Sequence, residues 1–262
     1  MLTSDQREEL AGRLRRAERD RVPIPPLVEA HPGLTAADAY SIQLANVRRR
    51  TARVVGHKVG LSSPVMQAMM GVDEPDYGHL LADMRLREDE PVEVARYCAP
   101  RVEVEVGFLL GADLPGETCA EREVLAATEA LVPAIELIDS RIADWRIGLA
   151  DTIADNASSA GFLLGAERIP PGSVDPRAID AVLRRGDEVL ARGRSDAVLG
   201  NPVVAVAWLA REVAAFGVRL RAGHVVLPGS CTRAVDVRAG QRFQAEFSTA
   251  GRPLGSVSAA FR

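Results

Sequence analysis

Between Arg101 and Phe108 apolar and acidic residues alternate strictly, as Arg101-Val-Glu-Val-Glu-Val-Gly-Phe108. A period of two predicts a β-strand, which places Glu103 and Glu105 side by side on one face and Val102, Val104 and Val106 on the other. Elsewhere the period lengthens to that of a helix. Thr3-Ser4 can cap a helix running to about Arg19, and Val22-Pro-Ile-Pro-Pro26 breaks it. A second helix starts at Thr35, where Thr35 and Asp38 approximate a capping box. Tyr40, Leu44 and Val47 form its apolar stripe, and Arg48-Arg49-Arg50 sits at its favourable C-terminal end. The segment 53–60 reads as a strand entering a glycine-punctuated loop, followed by a short helix over 64–70. Further helices are expected over 120–131 and 175–185, and from Asn201-Pro202 to Phe216, where Asn is the N-cap and Pro the first helical residue. The remaining strands are expected at 134–138, 160–165, 188–193, 224–227, 242–247 and 254–261. Many short strands interspersed with helices, without a repeating βαβ unit, predict an α+β fold around a curled mixed sheet.

A chain of 262 residues with 47% hydrophobic content can fill a substantial core, as one large domain or a main domain carrying a small lobe. The net charge of −4 with 26% charged residues leaves no electrostatic footprint for nucleic acid or an anionic membrane, so a small-molecule partner is expected. Met1-Leu-Thr-Ser-Asp5 runs directly into charged residues, and no apolar run reaches the length of a secretory or membrane segment. A cytoplasmic protein is expected. Cys98, Cys119 and Cys231 are odd in number and widely separated, which predicts reduced thiols.

One further carboxylate stands in an apolar run, Pro133-Ala-Ile-Glu136-Leu-Ile138. Together with Glu103 and Glu105 it would complete an all-oxygen cage suited to Mg²⁺ or Mn²⁺, although the spacing equally describes a half-exposed strand with a solvated acidic face. No Gly-x-Gly-x-x-Gly and no phosphate-binding loop is present, since Lys58 precedes Gly60 instead of following it. His31, His57, His79 and His224 show neither metal-type pairing nor a nucleophile elbow nearby. They read as surface or hydrogen-bonded structural residues.

Three groups of motifs together resemble one family. They are Gly56-His-Lys-Val-Gly-Leu-Ser-Ser63 with Met70-Gly-Val-Asp-Glu-Pro-Asp-Tyr-Gly78, Arg101-Val-Glu-Val-Glu105, and Ile135-Glu-Leu-Ile-Asp-Ser-Arg141 with Asp151-Thr-Ile-Ala-Asp-Asn-Ala-Ser-Ser159. The resemblance is to the 2-keto-4-pentenoate hydratases of the fumarylacetoacetate hydrolase superfamily, nearest to the actinobacterial hydratases of steroid-ring catabolism that act on 2-hydroxyhexa-2,4-dienoate. It implies a mixed β-roll over residues 56–262 with a helical N-terminal lobe over 1–55. It also implies a divalent metal, Mg²⁺ or Mn²⁺, on Glu103, Glu105 and Glu136, with Lys58 and Asp76 as catalytic residues. Ser158 is a candidate donor to the substrate carboxylate. The activity implied is hydration of a 2-hydroxypenta- or 2-hydroxyhexa-2,4-dienoate to the 4-hydroxy-2-oxo acid in aromatic or steroid ring catabolism. The assembly implied is a homo-oligomer, including pentamer-based decamers. Other readings are the 2-oxo-3-hexenedioate (4-oxalocrotonate) decarboxylase branch, C–C bond hydrolysis and a non-catalytic partner subunit. The decarboxylase branch tends to carry an apolar residue after the proline that precedes Asp76, so Pro75-Asp-Tyr-Gly78 has the hydratase form. Taken alone, Lys58 would read as a solvated lysine and Asp76 as a turn residue after Pro75.

Overall fold

Three helices open the chain: α1 (Ser4–Asp20), α2 (Leu27–Ala30) and α3 (Ala36–Arg49). The computed structural model describes every residue of the chain except 65, 66, 69 and 70. Helix α1 begins with a full capping box, because Thr3 Oγ1 accepts from Gln6 N and Gln6 Oε1 accepts from Thr3 N. Thr35 caps α3 with its hydroxyl, which accepts from Asp38 N and donates to Asp38 Oδ2, and Asp38 extends from that turn to Leu2 N and Arg7, tying the two helices together. Their apolar faces, with Leu10, Leu14 and Ile42, join Leu27 of α2 and Leu34 and close over Ile142 and Ile153.

The rest of the chain is dominated by strands. In order they are β1 (Val54–Gly60), β2 (Asp76–Leu81), β3 (Arg101–Leu110), β4 (Thr128–Ile138), β5 (Ser159–Leu164), β6 (Asp180–Arg185), β7 (Glu188–Arg194), β8 (Val225–Leu227), β9 (Val235–Asp236), β10 (Arg242–Thr249) and β11 (Arg252–Ala260). Helices α4 (Glu121–Ala127), α5 (Leu149–Ala154) and α6 (Pro202–Ala214) interrupt them. A seven-stranded sheet runs β2-β1-β8-β3-β4-β5, with β9 also pairing to β3, and a four-stranded sheet runs β11-β10-β6-β7. The β1–β8 pair is parallel and its neighbours are antiparallel, so the large sheet is mixed. Val102, Val104, Val106, Ile135 and Leu137 from the large sheet join Ala181, Leu183, Phe243, Ala245 and Val257 from the small one in a single core. The alternation in β3 therefore sends its valines into that core and its glutamates to the opposite face.

Two expected elements differ from those observed. The helix expected over 175–185 is in fact strand β6, flanked by β7 and β10. Ala181 and Leu183 are buried while Asp180 is exposed and Val182 half-buried, a two-residue period, and Gly186 at φ +60° turns the chain into β7. The helix expected over 120–131 stops at Ala127, because β3 offers Leu109 and Leu110 as partners to Ala130 and Thr128 and the sheet takes the segment. Strand β2 was not among the expected strands. All six of its residues are buried, so it carries no alternating signal. The short helix expected over 64–70 falls largely on residues outside those described. Among the described residues no helix is long and apolar enough to cross a membrane, and the three cysteines are free.

Candidate active site

The antiparallel register of β3 and β4 places Glu103 directly opposite Glu136, with Glu105 two residues along the same face. One carboxylate oxygen from each of the three lies within 4.8 Å of those of the other two. Glu105 and Glu136 are 0% exposed, which removes the reading of a solvated acidic face. Glu105 Oε2 accepts from Gly229 N at 2.7 Å, whereas among the described residues Glu105 Oε1 and both oxygens of Glu136 have no close hydrogen-bond partner. Burial pushes the Glu103 carboxyl up to about 7 against the pull of Lys58, with repulsion from Glu136 adding to it. Burial, followed by Glu136 and Glu103, holds Glu105 well above the ordinary range. Buried carboxylates are acceptors only, so the unpartnered oxygens call for protons or a cation, and the donor set fits a hard divalent ion. It is the one such group among the described residues.

Lys58 comes from β1, whose register with β2 sets Lys58 opposite Gly78 and Gly60 opposite Asp76. Its Nζ lies 3.5 Å from Glu136 Oε2 and donates to Ala157 O at 2.9 Å. Burial works against the ammonium. The charges of Glu136, Glu103, Asp76 and Glu105 outweigh that cost and hold Lys58 above its ordinary value. Asp76 is 1% exposed, and among the described residues neither of its oxygens has a close hydrogen bond. Its pKa is raised by burial, against the opposing influence of Lys58 and the Thr152 side chain. Two glycines of the quoted motifs make room for these groups: a Cβ on Gly60 would sit 2.1 Å from Asp76 Oδ1, and one on Gly78 would sit 2.3 Å from Asn156 O.

An arch of three successive left-handed residues, Asn156, Ala157 and Ser158 at φ +56°, +50° and +55°, passes over the cluster. None is glycine, so the arch is strained and persists because its surroundings over-determine it. Asn156 Oδ1 accepts from His79 N at 2.8 Å, Asn156 Nδ2 donates to His79 O at 2.9 Å, and Asp139 N donates to Ser158 O at 2.8 Å. Ser158 is 4% exposed, and among the described residues its hydroxyl has no partner.

All six candidate residues thus lie on or beside one face of the large sheet. The sequence reading missed Asn156, Thr152 and the Gly229 amide. Asn156 sits inside a quoted motif, yet a left-handed run without glycine announces nothing locally. His57 and His79 are buried on the opposite face of β1–β2, with ring centroids 4.8 Å apart. Burial drives His79 down to about 4 and His57 well below its ordinary value. The expectation of a hydrogen-bonded histidine fails at His57, since neither ring nitrogen has a partner.

The chain is similar to known proteins over most of its length. The family described as "Fumarylacetoacetate (FAA) hydrolase C-terminal" matches residues 64–259. The chain is 42% identical over 253 residues to 2-keto-4-pentenoate hydratase of Paraburkholderia xenovorans (strain LB400), covering 95% of this chain and 94% of that one. It is 40% identical over 236 residues to 2-hydroxyhexa-2,4-dienoate hydratase of Comamonas testosteroni, covering 88% and 89%. Its structure superposes with a TM-score of 0.94 on 4-oxalocrotonate decarboxylase from Pseudomonas putida G7 complexed with magnesium and adipate, at 34% identity and covering 100% and 99% of the two chains.

Proposed function

From the membership of this chain in the fumarylacetoacetate hydrolase family, we propose that it is a hydratase of short 2-hydroxy-2,4-dienoates, a hydro-lyase that forms 4-hydroxy-2-oxo acids. The observation that carries the reading is the convergence of Glu103, Glu105 and Glu136 next to a buried Lys58–Asp76 pair. Water adds poorly to an electron-rich dienol. The substrate must first ketonise by protonation at C5, after which C4 of the unsaturated ketone is electrophilic and takes the hydroxyl while C3 takes a proton.

Glu103, Glu105 and Glu136 would hold a divalent cation, which when bound acts as a Lewis acid for negative charge on the C2 oxygen. Lys58 supplies the positive charge that an anionic substrate requires among three carboxylates. Asp76, whose burial favours the protonated form, is the acid/base that delivers the proton to C5 and takes one from the attacking water. The free hydroxyl of Ser158 donates to the substrate carboxylate. Mg²⁺ or Mn²⁺ is the resident ion in this reading, and the magnesium in the decarboxylase neighbour supports a divalent metal.

The reading extends to a helical lobe over 1–55 on a catalytic β-roll over 56–262, a homo-oligomer based on pentamers, a cytoplasmic location and a role in aromatic or steroid ring catabolism. The similarity to 2-hydroxyhexa-2,4-dienoate hydratase supports a substrate with one extra methyl group. The superposition on a decarboxylase favours a second reading, loss of CO₂ from a 2-oxo-3-enedioate. Asp76 supports the hydratase, because decarboxylation needs no group to activate water. The test is to generate 2-hydroxypenta-2,4-dienoate and its hexa homologue in situ and follow loss of the dienol with and without Mg²⁺. Faster CO₂ release from the enedioate than hydration of the dienoates would overturn the hydratase reading.

A further inference from the structure

Strand β2, which carries Asp76, is the edge strand of the large sheet: β1 pairs with one side and, among the described residues, no strand pairs with the other. Side chains meet the outward-facing backbone instead. Asn156 takes both the N–H and the C=O of His79, and the C=O of Tyr77 accepts Nε2 of Gln43 at 2.9 Å. Gln43 belongs to α3 and is 0% exposed. The same Nε2 donates to Ile153 O in α5 at 2.8 Å. One amide thus secures two backbone points, of which Tyr77 directly follows Asp76 and Ile153 directly follows Thr152. The Thr152 side chain faces the Asp76 carboxylate. Three residues before Gln43, on the same helix face, Tyr40 stacks on Tyr77 with ring centroids 4.5 Å apart and an interplanar angle of 18°.

We propose that Gln43 is a positioning residue for Asp76, fixing both the strand that bears the carboxylate and the helix that presents Thr152 to it. The inference rests on the reading of Asp76 as the acid/base. Among the described residues no close hydrogen bond fixes either Asp76 oxygen, so its placement depends on the strand that carries it and on the helix that brings Thr152 near it. The N-terminal helices consequently contribute to catalysis without touching substrate, through an amide on the far side of the strand.

Gln43→Met removes both donations at nearly constant volume. The expected result is kcat lower by about 10- to 100-fold with KM within about 3-fold, since misplacing a reacting group by about 1 Å costs rates of that order. The limb of the kcat–pH profile that Asp76 controls should also move. Gln43→Glu faces two carbonyls and, once protonated, restores one donation, so its kcat should lie between those of the wild type and Gln43→Met. Added to Asp76→Asn, Gln43→Met should lower kcat little further, because both act through one group. Should Gln43→Met fail to fold, Gln43→Glu carries the same test. Unchanged kcat and pH profile alongside a lowered Tm would overturn the proposal by reducing Gln43 to a structural strut. Loss of activity in Asp76→Asn with none in the Gln43 variants would overturn this inference alone. Near-normal hydration by Asp76→Asn would overturn the role of Asp76, and this inference with it.

Discussion

Replacing Glu105 by glutamine should stabilise the metal-free protein and at the same time abolish its affinity for a divalent cation. Carboxylate oxygens of the three glutamates lie within 4.8 Å of one another, where two unit charges repel by about 3.5 kcal/mol at an effective dielectric constant near 20. That repulsion is capped, because a carboxylate that is too costly to ionise takes up a proton instead. Burial, followed by repulsion from Glu136 and Glu103, holds the Glu105 carboxyl well above its ordinary value, so ionising it in the fold costs stability. Glutamine removes the charge of Glu105 and keeps an amide oxygen in position to accept from Gly229 N. The expected gain at pH 7.5 is therefore about 1–3 kcal/mol, or roughly 2–10 °C in Tm for a chain of this size. The sign with pH follows from the raised acids. A carboxyl whose folded pKa exceeds its unfolded value destabilises the fold once ionised, so stability falls as pH climbs from about 4.5 through about 7. The advantage of Glu105→Gln should vanish near pH 4.5 and grow as pH rises toward the raised pKa of Glu105. Urea unfolding in EDTA across this range, with titration calorimetry against Mg²⁺, measures both effects. A metal-free variant less stable than wild type at pH 7.5, together with unchanged Mg²⁺ affinity, would refute the shared field and the shared ion.

Asp76→Asn should lower kcat by about 10²–10⁴-fold with a much smaller change in substrate affinity, because shape is kept and proton transfer is lost; steady-state hydration kinetics read both parameters. In the Mg²⁺-saturated protein, stability should fall as pH drops from about 6.5 to about 4. His79 is held neutral in the fold with its pKa near 4, so protonation favours the unfolded chain by roughly 3 kcal/mol over that window. Urea midpoints across the window should show a shallower fall for His79→Gln, and an identical slope would exclude the histidine as the cause. Pentadienoate and hexadienoate should both be hydrated, with kcat/KM differing by at most about 10- to 200-fold, since one methylene in an apolar pocket is worth roughly 1–3 kcal/mol. A larger ratio would point to a polar or steric gate at the tail.

Patterning alone determined that β3 is a strand with its valines inward and its two glutamates on one face. Side-chain direction in a strand depends only on parity, which is why that reading transferred intact to the structure. Helix caps at Thr3, Thr35 and Asn201 were equally legible, since each bond spans only two or three residues. Beyond that range local signals failed. Residues 180–185 have helical composition yet became β6 because two neighbouring strands satisfied their backbone, and β2 left no trace because it is buried on every side. The family motifs named Lys58, Asp76, Ser158 and the three glutamates as site residues, but not how they meet. Only the β3–β4 register places Glu136 against Glu103, and only the pairing of β1 with β2 sets Asp76 beside Lys58, where Gly60 leaves room for it. The supports lie farthest from any sequence signal. Asn156 reaches a backbone 77 residues away and Gln43 one 110 residues away. Contacts of that range depend on chain closure and carry no local pattern, so the tertiary structure alone decided what holds the candidate site residues in place.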